Sequence, residues 1–432
     1  MRDLMARYQK SVLQLERAER VIPLGSQTFS KSRTQYPVGA APLFASRAHG
    51  SRTWDVDGNE YVDLVSSLGA VVLGYGDEEV NEAVIRQLHD GVTLSLSHPL
   101  EEEVASRLVE LIPCAEMVRF AKNGTDATSA AIRLARAATG REHVIACGYH
   151  GWQDWFIGST TRNLGVPAAT QALTHAVPYN DLAAIDRVIA QYPDGVAALI
   201  MEPMTSTFPE PGYLEGVRRI TQDRGIVLVF DEMLTGFRFA PGGAQEYFGV
   251  TPDLAAFGKG LANGLPLSAV MGRRDLMMLM ERIFFSGTYG GETLSLAAAR
   301  VVLGRMASGE PTDTLASVGQ SLLTAIDAAR SPESQEVLAF TGHPAWLFLR
   351  WSVAHATTLN EVKTLFLQEM LRRGVLVLGT HDVTTAFTSV DIDHCARAYA
   401  ESLDVIVDAL ADGDVHARLE CDTLVPLFTL RS

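Results

Sequence analysis

One stretch, Gly225-Ile226-Val227-Leu228-Val229-Phe230-Asp231, constrains the fold more than any other. Its apolar residues run without alternation, follow a glycine and end at an acid. That pattern suits a strand covered on both faces, as in a parallel sheet flanked by helices. Ligands of such sheets bind beyond the carboxyl ends of the strands, which is where Asp231 falls. A second short run, Leu254 to Phe257, stops at Gly258-Lys259-Gly260. A lysine therefore emerges at the end of another expected strand, and the flanking glycines leave room for a bulky group joined to it.

Taken singly, an acid at a strand end reads as a helix cap and a lysine between glycines as a solvated turn. Together at one sheet edge they fit pyridoxal 5'-phosphate chemistry, in which a lysine amine takes the aldehyde as a Schiff base and a carboxylate pairs with the pyridinium nitrogen. Asp231 would keep the ring protonated, and Lys259, displaced by an incoming amine, would carry the proton of the substrate α-carbon. A phosphate site is also legible. Phe120-Ala121-Lys122-Asn123-Gly124-Thr125-Asp126-Ala127 leads into a strong helix former, and a helix N-terminus presents free N–H groups to an anion. Gly124 permits close approach there, and Thr125 adds a hydroxyl.

The octapeptide from Asp231 to Arg238, followed by Pro252-Asp253-Leu254 and Gly258-Lys259, resembles the signature of the class III aminotransferases. The resemblance extends over nearly the whole chain. Within that class the chain is most similar to glutamate-1-semialdehyde 2,1-aminomutase and to the amino-sugar and aminocyclitol aminotransferases. This implies an α/β protein of fold type I, in which a large domain with a mostly parallel sheet (residues 66–305) is joined by a small α+β domain. Residues 1–65 contribute to the small domain and to an active-site cover, and residues 306–432 complete it.

The resemblance also implies a set of roles. Pyridoxal 5'-phosphate is the cofactor and pyridoxamine 5'-phosphate its intermediate form. Gly124 and Thr125 hold the phosphate, Tyr149 stacks on the ring, Glu202 lies beside it, and Met233 packs behind it. Thr288 reaches the phosphate of a neighbouring subunit, which implies a homodimer with shared sites. Ser26, Gln27, His150 and Glu292 are candidates for substrate contact, although a lone histidine beside an aromatic, as His150 is, reads more often as a packing or hydrogen-bonding residue. The partners are a small amino donor and a carbonyl acceptor. Where the aminomutase has Gly-Asn after its Glu-Pro, this chain has Met204-Thr205-Ser206, a departure that counts against the aminomutase substrate, while intramolecular transfer stays the nearest alternative. Intact Lys259 and Asp231 oppose a third reading, a non-catalytic binding or regulatory protein on the same fold.

The formal charge, 36 minus 51 or −15, opposes nucleic acid or anionic lipid as a partner. Cys114, Cys147, Cys395 and Cys421 are widely spaced and the histidines form no ligand motif, so no metal is expected. The absence of a long apolar run and of an apolar core near the N-terminus leads to the expectation of a cytoplasmic protein that does not cross a membrane. Asp57-Gly58-Asn59 predicts a hairpin. Near the C-terminal end, strands are expected at Ala345–Trp351, 375–378 and 384–388, and a final helix from Asp391.

Overall fold

The apolar runs in the middle of the chain become one seven-stranded sheet. Its strands are β1 (Met117–Ala121), β2 (His143–Cys147), β3 (Thr174–Ala176), β4 (Val196–Met201), β5 (Val227–Asp231), β6 (Leu254–Phe257) and β7 (Ser268–Gly272). The structure is a computed structural model that describes residues 7–353 and 355–425. The backbone separates into two units, one from Glu78 to Asp313 and one formed by the residues up to Asp77 together with those from Thr314 onward.

In the Glu78–Asp313 unit the strand order is β1-β7-β6-β5-β4-β2-β3. All pairs from β6 through β3 are parallel, whereas β7 runs antiparallel to both of its neighbours. Every residue of β4 and β5 is buried, because alternate side chains enter two different cores. Ala198, Ile200, Val227 and Val229 pack on one face with Ala127, Ala130, Ala131 and Leu134 of the helix Gly124–Thr139. Leu199, Met201, Leu228 and Phe230 pack on the other with Ile185 and Ile189 of Leu182–Gln191 and Leu214 and Val217 of Tyr213–Asp223. Burial on both faces is what an unbroken apolar strand requires. The parallel register sets Cys147 beside Met201 and Asp231 beside Ala256, so the carboxyl ends of β2, β4, β5 and β6 form one edge.

The other unit contains two small sheets. Arg52–Asp55 and Glu60–Asp63 form the expected hairpin around Gly58, whose φ is +96°. Ala45–His49 adds on one side and Val375–Leu376 pairs in parallel on the other. The second sheet joins Leu338–His343, Trp346–Trp351 and Thr380–His381. The strand expected at 375–378 is thus cut to two residues, and the one expected at 384–388 is absent. There the Thr384 hydroxyl and carbonyl accept from the N–H groups of Ala386 and Phe387 and turn the chain. Thr388 then caps the helix Ser389–Asp412. Among the described residues no helix is long and apolar enough to cross a membrane.

Candidate active site

Four strand ends deliver the chemistry. β5 ends in Asp231, and its carboxylate is buried. After β2 the chain turns through Gly148, Tyr149, His150 and Gly151, with φ of +106° at both glycines. The turn carries the His150 ring inward to full burial, and its Nδ1 lies 2.8 Å from Asp231 Oδ2. A carboxylate only accepts, so this contact sets the proton on Nδ1. The other carboxylate oxygen, Oδ1, accepts from the Met233 N–H at 3.1 Å. The opposite ring nitrogen, His150 Nε2, is buried without a hydrogen-bond partner.

β4 ends in Met201 and delivers Glu202, which keeps some exposed surface. Its Oε2 accepts from the Tyr149 N–H at 3.2 Å. A Cβ at Gly148 would stand 2.4 Å from that oxygen, on a backbone whose φ of +106° itself favours glycine. Burial, and next the Asp231 carboxylate, push Glu202 up to about 7, partly offset by His150, the Tyr149 N–H and Lys259. An acid whose folded pKa exceeds its unfolded value binds more protons when folded. Stability is therefore lost as pH rises from about 4.5 through 7. In the cofactor-free protein, Glu202→Gln is expected to raise stability at pH 8 by about 1 to 2 kcal/mol, discounted for the residue's partial exposure, and to change it little at pH 5. Urea unfolding midpoints at the two pH values check this; an equal change at both would contradict the assignment.

β6 ends at Phe257 and leads to Lys259, an exposed side chain on a backbone with φ of +44°. A non-glycine residue in that region is uncommon and carries strain of about 1 to 3 kcal/mol. Met233 sits between the neighbouring turns, since its Sδ lies 2.6 Å from where a Cβ on Gly124 would be and 2.7 Å from one on Gly258. Gly124 opens the helix Gly124–Thr139, and the Asp126 carboxylate closes its first turn by accepting from the Asn123 N–H at 2.8 Å. Thr125 is buried, and its Oγ1 has no hydrogen-bond partner. A Cβ on Gly151 would come within 2.4 Å of that hydroxyl. Tyr149 is half exposed, edge-on to Phe156 with ring centroids 5.6 Å apart.

Asp231, Lys259, Glu202, Tyr149, His150, Met233, Gly124 and Thr125 are thus linked through direct contacts or shared strand ends within one unit. Thr288 lies elsewhere in that unit, exposed on a cleft of about 530 Å³ with Ser95, Arg119 and Phe120. The Glu292 carboxylate receives Lys122 Nζ at 2.9 Å and the Leu294 N–H at 2.6 Å, capping the helix Thr293–Met306. Ser26 and Gln27 belong to the other unit, where the Ser26 hydroxyl bonds the Thr28 carbonyl at 3.2 Å and Gln27 is exposed. Sequence reasoning missed the pairing of His150 with Asp231. β4 separates their two strands, and the available signal was a histidine three residues beyond a strand that ends at the same edge.

Known proteins are similar to this chain over most of their length. The family model described as aminotransferase class-III matches residues 35–409. A glutamate-1-semialdehyde 2,1-aminomutase of Syntrophobacter fumaroxidans is 36% identical over 395 residues, covering 85% of this chain and 90% of its own. A 3-aminobutyryl-CoA aminotransferase of Cloacimonas acidaminovorans is 32% identical over 404 residues, covering 91% and 96%. The FumI protein of Sphingopyxis sp. MTA144, solved in a PLP form, superposes with a TM-score of 0.87 at 27% identity, covering 94% of this chain and 98% of that one. With three-quarters or more of its length matched in each comparison, and a lysine and an acid at neighbouring strand ends, this chain belongs to the class III aminotransferase family.

Proposed function

We propose that this protein binds pyridoxal 5'-phosphate at the strand-end edge and uses it to move an amino group from a small amine donor to an aldehyde or ketone acceptor. The observation that carries the reading is the Asp231 carboxylate, buried and held by His150 Nδ1 at 2.8 Å, one strand away from the turn that bears Lys259. The cofactor fits the residues present. The unpartnered Thr125 hydroxyl and the N-terminus of Gly124–Thr139 offer donors to a phosphate, and the glycines at 124, 148 and 151 clear the surrounding space. When bound, the cofactor supplies an aldehyde that condenses with amines and a ring that draws electrons from the adjoining carbon.

The chain's own residues do the rest. Asp231 holds a proton on the ring nitrogen, and His150, bonded to Oδ2 while Met233 N–H bonds Oδ1, keeps the carboxylate oriented for it. The Lys259 amine moves the proton at the α-carbon. Tyr149 covers one ring face and Met233 the other, which shields the site from water. Thr288, exposed on its own cleft, serves a second subunit's phosphate in a homodimer. An aldehyde or ketone on a cationic amino-sugar or aminocyclitol skeleton is the acceptor we carry forward, supported by the acidic balance of the chain.

The second reading is intramolecular transfer with the same residues, supported by the 36% identity to an enzyme named an aminomutase. Addition of L-glutamate to the cofactor-loaded protein separates the two. Bleaching of the visible band with release of 2-oxoglutarate is the expected result. A protein inert to glutamate that converts an amino aldehyde to its isomer without releasing a keto acid would establish the second reading. Failure to retain pyridoxal phosphate at all would overturn both.

A further inference from the structure

A cavity of about 300 Å³ lies wholly within the unit formed by the N- and C-terminal parts of the chain, apart from the residues assigned to amino transfer. We propose that it binds a small organic ammonium cation, held by aromatic faces over two buried carboxylates.

The lining residues include four aromatics, Tyr36, Phe44, Tyr61 and Tyr75, together with Asp55 and Asp63. Both acids are buried, at 2% and 3% exposure. Their stabilisation comes from neutral donors alone. Asp55 accepts from the Asn59 N–H and side-chain amide, each at 2.8 Å, and from the Tyr61 hydroxyl at 2.9 Å. Asp63 accepts from the N–H groups of Val65 and Ser66 at 2.8 and 2.9 Å, the Thr53 hydroxyl at 2.8 Å and the Tyr75 hydroxyl at 2.9 Å. Among the described residues no lysine, arginine or histidine forms an ion pair with either. Neutral donors occupy the oxygens of each carboxylate but leave its charge uncancelled, and in a low-dielectric wall that charge acts on the adjoining cavity.

The aromatic rings act in the same direction. Tyr61 and Tyr75 each donate their hydroxyl to a carboxylate, which raises electron density on the ring and strengthens its attraction for a cation at the face. Burial and the charge of Asp63 both hold the Tyr36 phenol in its neutral, proton-bearing form. An ammonium head wrapped in methyl or methylene groups satisfies both the apolar walls and the negative field, which a neutral hydrocarbon or an anion does not. The one lysine on the wall, Lys31, is exposed and reaches the Ser67 hydroxyl at 3.5 Å. It is the resident competitor for the negative field.

Choline and its uncharged isostere 3,3-dimethylbutan-1-ol, titrated calorimetrically into the full-length cofactor-loaded protein, test the proposal. Choline is expected to bind with a Kd of about 1 mM or below, and the alcohol roughly tenfold or more weakly. Lys31→Met removes the competing charge from an exposed position and is expected to tighten choline about threefold or more. Asp63→Asn is expected to weaken it, provided the variant keeps its circular dichroism; Lys31→Met carries the test where it does not. Equal binding of the two compounds, no saturation by choline at about 20 mM, or an unchanged choline affinity in Lys31→Met would each overturn the assignment.

Discussion

Lys259→Ala is expected to abolish amino transfer, with a loss of more than about 10³-fold in turnover, while the protein still takes up cofactor. The proposed function gives this residue two duties. Its amine would form the covalent link to the cofactor aldehyde, and the same amine would move the substrate proton. Of the other titratable side chains at the strand ends, Glu202 and Asp231 are acids, His150 is an imidazole, Cys147 a buried thiol and Tyr149 a phenol, while Lys122, just after β1, is paired with Glu292 at 2.9 Å. His150 is turned away into the Asp231 contact. The backbone should tolerate the change, because Lys259 is exposed and its strained φ of +44° is imposed by the turn after β6 rather than by its side chain. Borohydride treatment followed by denaturation supplies the check. Cofactor that stays covalently attached to the Lys259→Ala protein would place the link on another residue.

Asp231→Asn is expected to cost about 10² to 10⁴-fold in turnover with the fold retained. In the proposed function the carboxylate's negative charge would keep a proton on the ring nitrogen; an amide of the same shape would still accept from the Met233 N–H but would hold no such proton. Because Asp231 Oδ2 is bonded by His150 and the whole pair is buried, a replacement that kept only the shape would also leave His150 Nδ1 facing a neutral group. Steady-state kinetics beside a urea unfolding curve separates the two effects. Turnover within a factor of a few of the parent protein, at unchanged stability, would remove the electron-drawing role from Asp231.

Much of the architecture is legible in the sequence. Unbroken apolar runs such as 196–201 and 226–230 admit few solutions other than strands covered on both faces, and a run of that kind ends where its first polar residue must find a partner. Asp231 and the glycine-flanked lysine therefore announced themselves through local pattern. Turn chemistry was equally direct at Asp57-Gly58-Asn59, because a positive φ is needed there. The short segment after residue 379 was misread. Threonine-rich sequence has strand propensity, yet at 384 its hydroxyl and carbonyl take up the local N–H groups and make a turn, leaving the pairing to Thr380–His381.

Roles that depend on which distant segments meet were not legible. Glu292 sits in a glycine-rich stretch that reads as a substrate loop, but its carboxylate is taken by Lys122, 170 residues away, and by the first N–H groups of its own helix. Asp55 and Asp63 read as hairpin residues, and only the packing of Tyr36, Phe44 and Tyr75 around them makes a charged cavity.

The sequence by itself determined the central buried strands, the one that ends in Asp231, the lysine between glycines and the anion-ready helix start, because each depends on residues within a few positions of one another. Tertiary structure alone decided that His150 meets Asp231, that Glu202 is forced beside a like charge, and that two carboxylates share an aromatic cavity. Those are matters of strand order and burial, and the energy of a charge depends on the dielectric and the partners around it rather than on its neighbours in the chain.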